Sequence, residues 1–225
     1  MIDVEATVGA VRRRVGTRTL EAGEARVVTA SRVYDAPLDD VWDACTTPDR
    51  IARWFLPIKG DLHLHGRYEL AGNASGTVTA CDPPHGFDAT WEFGGEVSWI
   101  EVRFVAEGPD RTRFTLEHIA HVDDERWAQF GPGAVGVGWD LGLMGLGMHL
   151  SAPDATVDPA EVEAWSVSAD GRRFITLASE DWGRANTGAG TPADAAAGAA
   201  ARTTAFYAPP PAGEDPRDTP EPATT

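Results

Sequence analysis

His118 and Asp140 are the side chains in this sequence best suited to general acid/base chemistry. Alternation puts His118 on the same side of a strand as Phe114 and Leu116, the apolar side. Asp140 follows Trp139 in a stretch otherwise almost free of charge. An imidazole and a carboxylate meeting across a cavity are the minimum apparatus for proton transfer. Spacing alone does not bring them together, and the plainer expectation for His118 is a strand-end histidine bonded to a neighbouring backbone group.

The remaining reactive side chains point to less chemistry. His63 and His65 alternate onto one face of an expected strand, but that face is the polar, outward one. His118 and His121 are three apart and point to opposite faces of a regular strand. Neither pair has a cysteine near it, so no metal site is expected. Cys45 and Cys81 form no CxxC and no disulfide framework, and free thiols in a reducing compartment are the expectation. Ser98 and Ser166 lack the G-x-S-x-G elbow, and neither a P-loop nor a G-x-G-x-x-G follows any strand. No cofactor is expected, and no residue earns a catalytic assignment.

The elements that must hold these side chains follow from pattern. Residues 12–20 and 26–34 read as a hairpin turning at Ala22-Gly23-Glu24. Asp35 is placed to cap a helix over 38–46, and Thr47-Pro48 starts a second. Val41, Trp42 and Cys45 share a face of the first helix; Ile51, Trp54 and Phe55 share one of the second. From 61 to 122 the period becomes two. Leu62, Leu64, Tyr68 and Leu70 alternate with His63, His65, Arg67 and Glu69; later runs set Ala89, Trp91 and Phe93, then Ile100, Val102 and Phe104, then Phe114, Leu116 and His118 on one side. One-sided strands joined by short turns predict an antiparallel sheet with one face wet.

A glycine-rich helix over about 134–150 follows, with Trp139, Leu143, Leu146 and Leu150 as its apolar stripe. Residues 131–150 also approach the length of a membrane span and contain a GxxxG spacing from Gly138 to Gly142. Asp140 at mid-membrane and Gly131-Pro132-Gly133 at the start argue instead for a buried helix of a soluble protein. Each helical glycine costs about 1 kcal/mol against alanine, so close approach to the sheet or room for a ligand must offset it. Further helices are expected from Asp158-Pro159 to Trp165, over 170–186, and from a capping-box-like Thr191-Pro192-Ala193-Asp194 towards Tyr207. Residues 208–225, rich in proline and acids, are expected to be disordered.

Certain residues carry a likeness to a known family: Tyr34-Asp35-Ala36-Pro37, then Val41-Trp42, Thr46, Pro48 and Arg-Ile-Ala-Arg-Trp-Phe at 50–55, with Gly66-Arg67-Tyr68 and Thr90-Trp91 beyond. Together with the order of elements they resemble the START-like, helix-grip (SRPBCC) superfamily. Within it, they are similar to homologues of the C-terminal domain of the heat-shock-protein-90 ATPase activator. The likeness covers roughly 25–150. It implies an α+β helix-grip fold, a curved antiparallel sheet wrapped around a long C-terminal helix, with an apolar pocket between them. The chain then divides into an N-terminal strand extension (1–24), the START-like domain (25–150), a C-terminal helical extension (151–207) and a tail (208–225).

On that reading the pocket is lined by Trp54, Phe55, Tyr68, Trp91, Phe93, Ile100, Val102, Phe104, Phe114, Leu116, His118, Trp139, Leu143 and Leu146. The expected function is non-catalytic binding of a small hydrophobic or amphipathic molecule. Two alternatives stand beside it: a chaperone-associated module stimulating a heat-shock ATPase, and a cyclase/dehydratase-type enzyme using His118 and Asp140. The C-terminal helices offer self-association through Trp165, Phe174, Trp182, Phe206 and Tyr207, or cover for a sheet edge. A net charge of −16, from 35 acids against 19 bases, argues against nucleic-acid and anionic membrane partners. The first ten residues contain two acids and no apolar stretch, which predicts no signal peptide and a cytoplasmic location.

Overall fold

The computed structural model describes residues 2–155 and 159–209, and the fold is organised by one sheet. Its strands are β1 (Arg12–Leu20), β2 (Gly23–Tyr34), β3 (Ile58–Gly60), β4 (Arg67–Leu70), β5 (Ser75–Asp82), β6 (Gly86–Phe93), β7 (Glu96–Gly108) and β8 (Arg111–Ala120). Every pairing is antiparallel and the order is β1-β2-β8-β7-β6-β5-β4-β3. Strands β3 to β8 thus form a meander, and the β1–β2 hairpin is laid against its last strand. The curved sheet does not close on itself.

The link from β2 to β3 carries two helices across the sheet's concave side, α2 (Leu38–Thr46) and α3 (Pro48–Trp54). Pro48 opens α3 at its first turn, where a missing N–H costs nothing. Helix α2 starts after Pro37 without a side-chain cap, so Asp35 does not serve as one. The long helix α5 (Gly133–Ser151) lies across the same concave face. Phe104, Val102, Leu116 and Val137 are all within 2–3% of full burial between sheet and helix, and they anchor the main core.

Two short helices carried little periodic signal and were not expected: α1 (Val4–Gly9) and α4 (Asp124–Phe130). Each is started by an aspartate. The Asp3 carboxylate accepts the Ala6 N–H at 2.9 Å, and Asp123 accepts that of Arg126 at 2.7 Å. The expected strand through Leu62 and Leu64 is also absent. Gly60, at φ 104°, bends the chain out of β3, and His65 adopts φ 66°, so 61–66 form a loop between β3 and β4. A Cβ at Gly60 would lie 2.2 Å from the Arg67 carbonyl, so glycine is required there. His63 and His65 therefore share no strand face.

Helices α6 (Pro159–Ser166), α7 (Ala169–Gly188) and α8 (Ala193–Tyr207) complete the chain. Ser168 caps α7 through the Gly171 N–H. The capping box expected at Thr191 does not form: α8 starts after Pro192, and the Thr191 hydroxyl bonds Asn186 Oδ1 instead. Helices α7 and α8 pack against each other and against α5, and α7 also reaches α1 and the edge strand β1. Phe174 and Trp182 are buried in that packing, Trp165 leans on Phe174, and the Tyr207 hydroxyl donates to the Ala134 carbonyl. Of the five aromatics considered for self-association, only Phe206 is strongly exposed, at 68%. The other four are engaged within the chain. The tail expected from 208 onward lies, from residue 210, outside the described residues. Among the described residues no helix is long and apolar enough to cross a membrane.

Candidate functional site

Between the concave side of the sheet, helices α2 and α3 and the middle of α5 lies a cavity of about 550 Å³. Its walls follow from parity. Inward-facing residues of β4, β6, β7 and β8 supply Tyr68, Trp91, Ile100, Val102, Phe114 and Leu116; α3 and the residue that ends it supply Trp54 and Phe55; α5 supplies Trp139 and Leu143. Phe55 stacks on Trp139 with centroids 6.0 Å apart and planes within 16°. Trp91 meets Trp139 edge-on at 5.0 Å.

The polar atoms of three of these aromatics bond into the protein. The Trp54 indole N–H donates to the Ala44 carbonyl at 2.9 Å, the Tyr68 hydroxyl to the Thr90 carbonyl at 2.6 Å, and the Trp139 N–H to His118 Nδ1 at 3.0 Å. Thr46, also on the wall, donates to the Trp42 carbonyl. Among the described residues its lining has no aspartate, glutamate, lysine or arginine. Burial pushes the thiol of Cys45, another lining residue, far above its ordinary range, so it stays neutral.

Four residues expected on the wall are elsewhere. Phe93 stands at the end of β6 beside the Gly94-Gly95 turn and is 58% exposed. Phe104 is buried among Trp42, Phe87 and Phe114, because Trp42 from α2 covers it. Leu146 has the expected side of α5 but lies one turn past the cavity, in the core. His118 is behind Trp139, bonded to it, and faces a separate hollow under α4.

Other lining residues were not foreseen. Leu62, His63 and Leu64 come from the loop between β3 and β4. Trp42, Cys45 and Ile51 come from helix faces whose need for burial was plain, though not what they would meet. Phe87 had a signal: the parity of Ala89 and Trp91, carried one step back, lands on it.

His118 and Asp140 do not meet. Neighbouring helical positions diverge by about 100°, so Trp139 faces the sheet while Asp140 faces α7. There Asp140 Oδ2 accepts from Arg13 Nε and from the Trp182 indole, each at 3.0 Å, and Arg13 also reaches Asp181 at 2.8 Å. Burial pushes the Asp140 carboxyl up to about 6, the adjacent guanidinium offsetting part of that rise. His118 has its own partners. An indole N–H only donates, so Nδ1 holds a lone pair, and the Nε2 hydrogen points to Ser98 Oγ at 2.8 Å. Burial depresses this imidazole to about 4. No group of three or more histidine, cysteine or acidic side chains among the described residues is placed to hold a metal ion.

The family model described as activator of Hsp90 ATPase homolog 1-like protein matches residues 35–150. No curated protein matches the chain. Among solved structures it is similar to CalU16 from Micromonospora echinospora. The crystal structure of that protein is 38% identical over 75% of this chain and 98% of the other, with a TM-score of 0.56. Its solution NMR structure gives 37% identity over 79% and 94%, with a TM-score of 0.63. Those shares exceed the family-matched segment, so the likeness takes in part of the flanking elements. A conserved protein of unknown function from Enterococcus faecalis, EF2215, is similar in fold alone, at 14% identity over 82% and 95% with a TM-score of 0.56.

Proposed function

Given that the chain belongs to the activator of Hsp90 ATPase homolog 1-like family, with a START-like fold, we propose that it is a non-catalytic binder of a small, uncharged hydrophobic or amphipathic molecule. One observation carries this reading: a space of about 550 Å³ walled mainly by aromatic and aliphatic side chains, in which the polar groups of Trp54, Tyr68 and Trp139 bond into the protein. Native interiors leave few voids larger than a water, whereas small-molecule sites run to a few hundred Å³ with mostly apolar linings. The lack of charge on the wall selects for a neutral occupant, since a buried unpaired ion is strongly penalised. The pocket residues are Trp54, Phe55, Tyr68, Trp91, Ile100, Val102, Phe114, Leu116, Trp139 and Leu143, joined by Trp42 and Phe87.

Native mass spectrometry of protein purified from its own host is the direct test. The expected result is a co-purifying neutral molecule whose removal lowers the melting temperature and whose return restores it. A ligand at about a hundred times its Kd adds about 2.7 kcal/mol, which is readily seen. Should no molecule co-purify and no neutral apolar compound shift the melting temperature, the carrier reading fails. Stimulation of Hsp90 ATP hydrolysis by the ligand-free protein would put in its place the activity that the family description names.

A further inference from the structure

Two indoles in contact with each other, Trp91 and Trp139, stand on the cavity wall. Trp91 borders the cavity on one side and, on the other, a smaller hollow of about 170 Å³ under α4, lined by Phe93, Val97, Trp127 and His118 and also by the charged Arg26, Glu96 and Arg126. Trp139 stands against Trp91 on the cavity side, with ring centroids 5.0 Å apart. Trp91, with Trp139 against it, therefore stands as a partition between the apolar cavity and a hollow of mixed character.

A short relay of hydrogen bonds ties the Trp139 indole to the main chain of Trp91. The Trp139 indole donates to His118 Nδ1 at 3.0 Å, His118 Nε2 donates to Ser98 Oγ at 2.8 Å, and the Ser98 hydroxyl donates to the Trp91 carbonyl at 3.0 Å. Each group in this relay has a single consistent role. The first donor can only donate and the last acceptor can only accept, which leaves His118 one tautomer and Ser98 one rotor. Ser98 and Trp91 are directly opposed across β6 and β7, so the relay's far end is part of the sheet's rigid ladder. His118 is 5% exposed and belongs to β8, whose ladder with β7 fixes its backbone, and hydrogen bonds on both ring nitrogens set its orientation.

We propose that His118, backed by Ser98, is the positioning residue of this partition, and that the partition sets the length of the ligand. Compact neutral aromatics are retained in the larger space. Molecules with a long apolar tail are refused unless the indoles part and join it to the hollow. The idea rests on the carrier reading above, and its test is built to fail separately from it.

The first arm uses no ligand. The Trp139 indole N–H resonance, identified by its loss in Trp139→Phe, is expected to exchange slowly with solvent in the natural protein. It should exchange fast in His118→Leu and Ser98→Ala and recover in His118→Gln, whose amide can both accept and donate. Equal protection in His118→Leu, or failure of His118→Gln to restore it, overturns the positioning role. The second arm uses three neutral dimethylaminonaphthalene dyes that differ only in an acetyl, propionyl or lauroyl tail. The natural protein should prefer the short tails. Trp91→Ala and His118→Leu should shift the preference towards the lauroyl dye by about tenfold or more, the scale on which apolar pockets discriminate size. Binding with an unchanged order of preference overturns the partition and leaves the carrier reading standing; no dye bound by any of the proteins overturns both.

Discussion

Proton transfer was the alternative reading of His118, beside the plainer one of a strand-end histidine bonded to backbone, and its surroundings make it a poor candidate for that chemistry. Its Nδ1 receives a hydrogen from an indole that cannot accept one back, so protonating the ring sets two N–H groups against each other. The folded-state pKa of about 4 lies below the ordinary 6.5, so the fold favours the neutral ring. That contribution is fully present above pH 6.5 and is lost as pH falls towards 4, over which the unfolded chain alone takes up the proton. The shift corresponds to about 3 kcal/mol. Melting followed from pH 7 down to 4 should show this loss in the natural protein and a flatter profile in His118→Gln. Asp140 has the opposite sign. Its carboxyl is raised to about 6 from 3.8, so its contribution is full below 3.8 and declines as pH rises through 6. With Arg26, Glu96, Arg126 and His121 around the same hollow as His118, the difference between the two proteins, not the raw curve, is the readout.

At the scale of elements, α5 shows why glycine content misleads as a sign of a cavity. Ligand space explains one glycine at most. A Cβ at Gly136 would lie 2.3 Å from the fully buried Trp182 ring, one at Gly145 would lie 2.3 Å from the Trp54 carbonyl, and one at Gly133 would press on Thr203. These glycines let α3, α7 and α8 approach the helix closely. Gly142 is different: its Cβ would sit 3.5 Å from the Phe55 ring, an ordinary contact at the cavity wall. Gly136→Ala is therefore expected to cost about 1–3 kcal/mol through overpacking. Gly142→Ala should gain up to about 1 kcal/mol from helix propensity. Urea denaturation of the two variants distinguishes them by sign. Helices α7 and α8 are likewise part of the core. Removing everything after Ser151 would expose the Asp140–Arg13 pair and strip Trp182 from Gly136. The truncated chain is expected to aggregate or lose its cooperative melt; a soluble protein with an unchanged transition would contradict this packing.

The molecule as a whole sets a strongly acidic exterior around an uncharged interior space. Binding of a neutral ligand should therefore be insensitive to salt, because no ion pair is made or screened inside. Titration of a neutral dye at low and at high ionic strength should give the same Kd, and a strong salt dependence would mean that the dye sits on the surface instead. Alternation and helix faces were enough to derive the antiparallel sheet, two helices from 38 onward and a long helix over about 134–150, because each depends on residues a few positions apart; the pocket itself came from the family likeness. The motif around Trp42, Trp54 and Phe55 gave the family, which residues 35–150 bear out. Four matters were decided only in three dimensions: that Asp140 turns to Arg13 and Trp182, that His118 stands behind Trp139, that the 61–66 loop folds over the cavity, and that α7 explains Gly136. Each depends on contacts between segments distant in the chain, where a rotation of one residue along a helix or a bend at one glycine changes the partner. Local pattern states which side chains must be buried; only packing states against what.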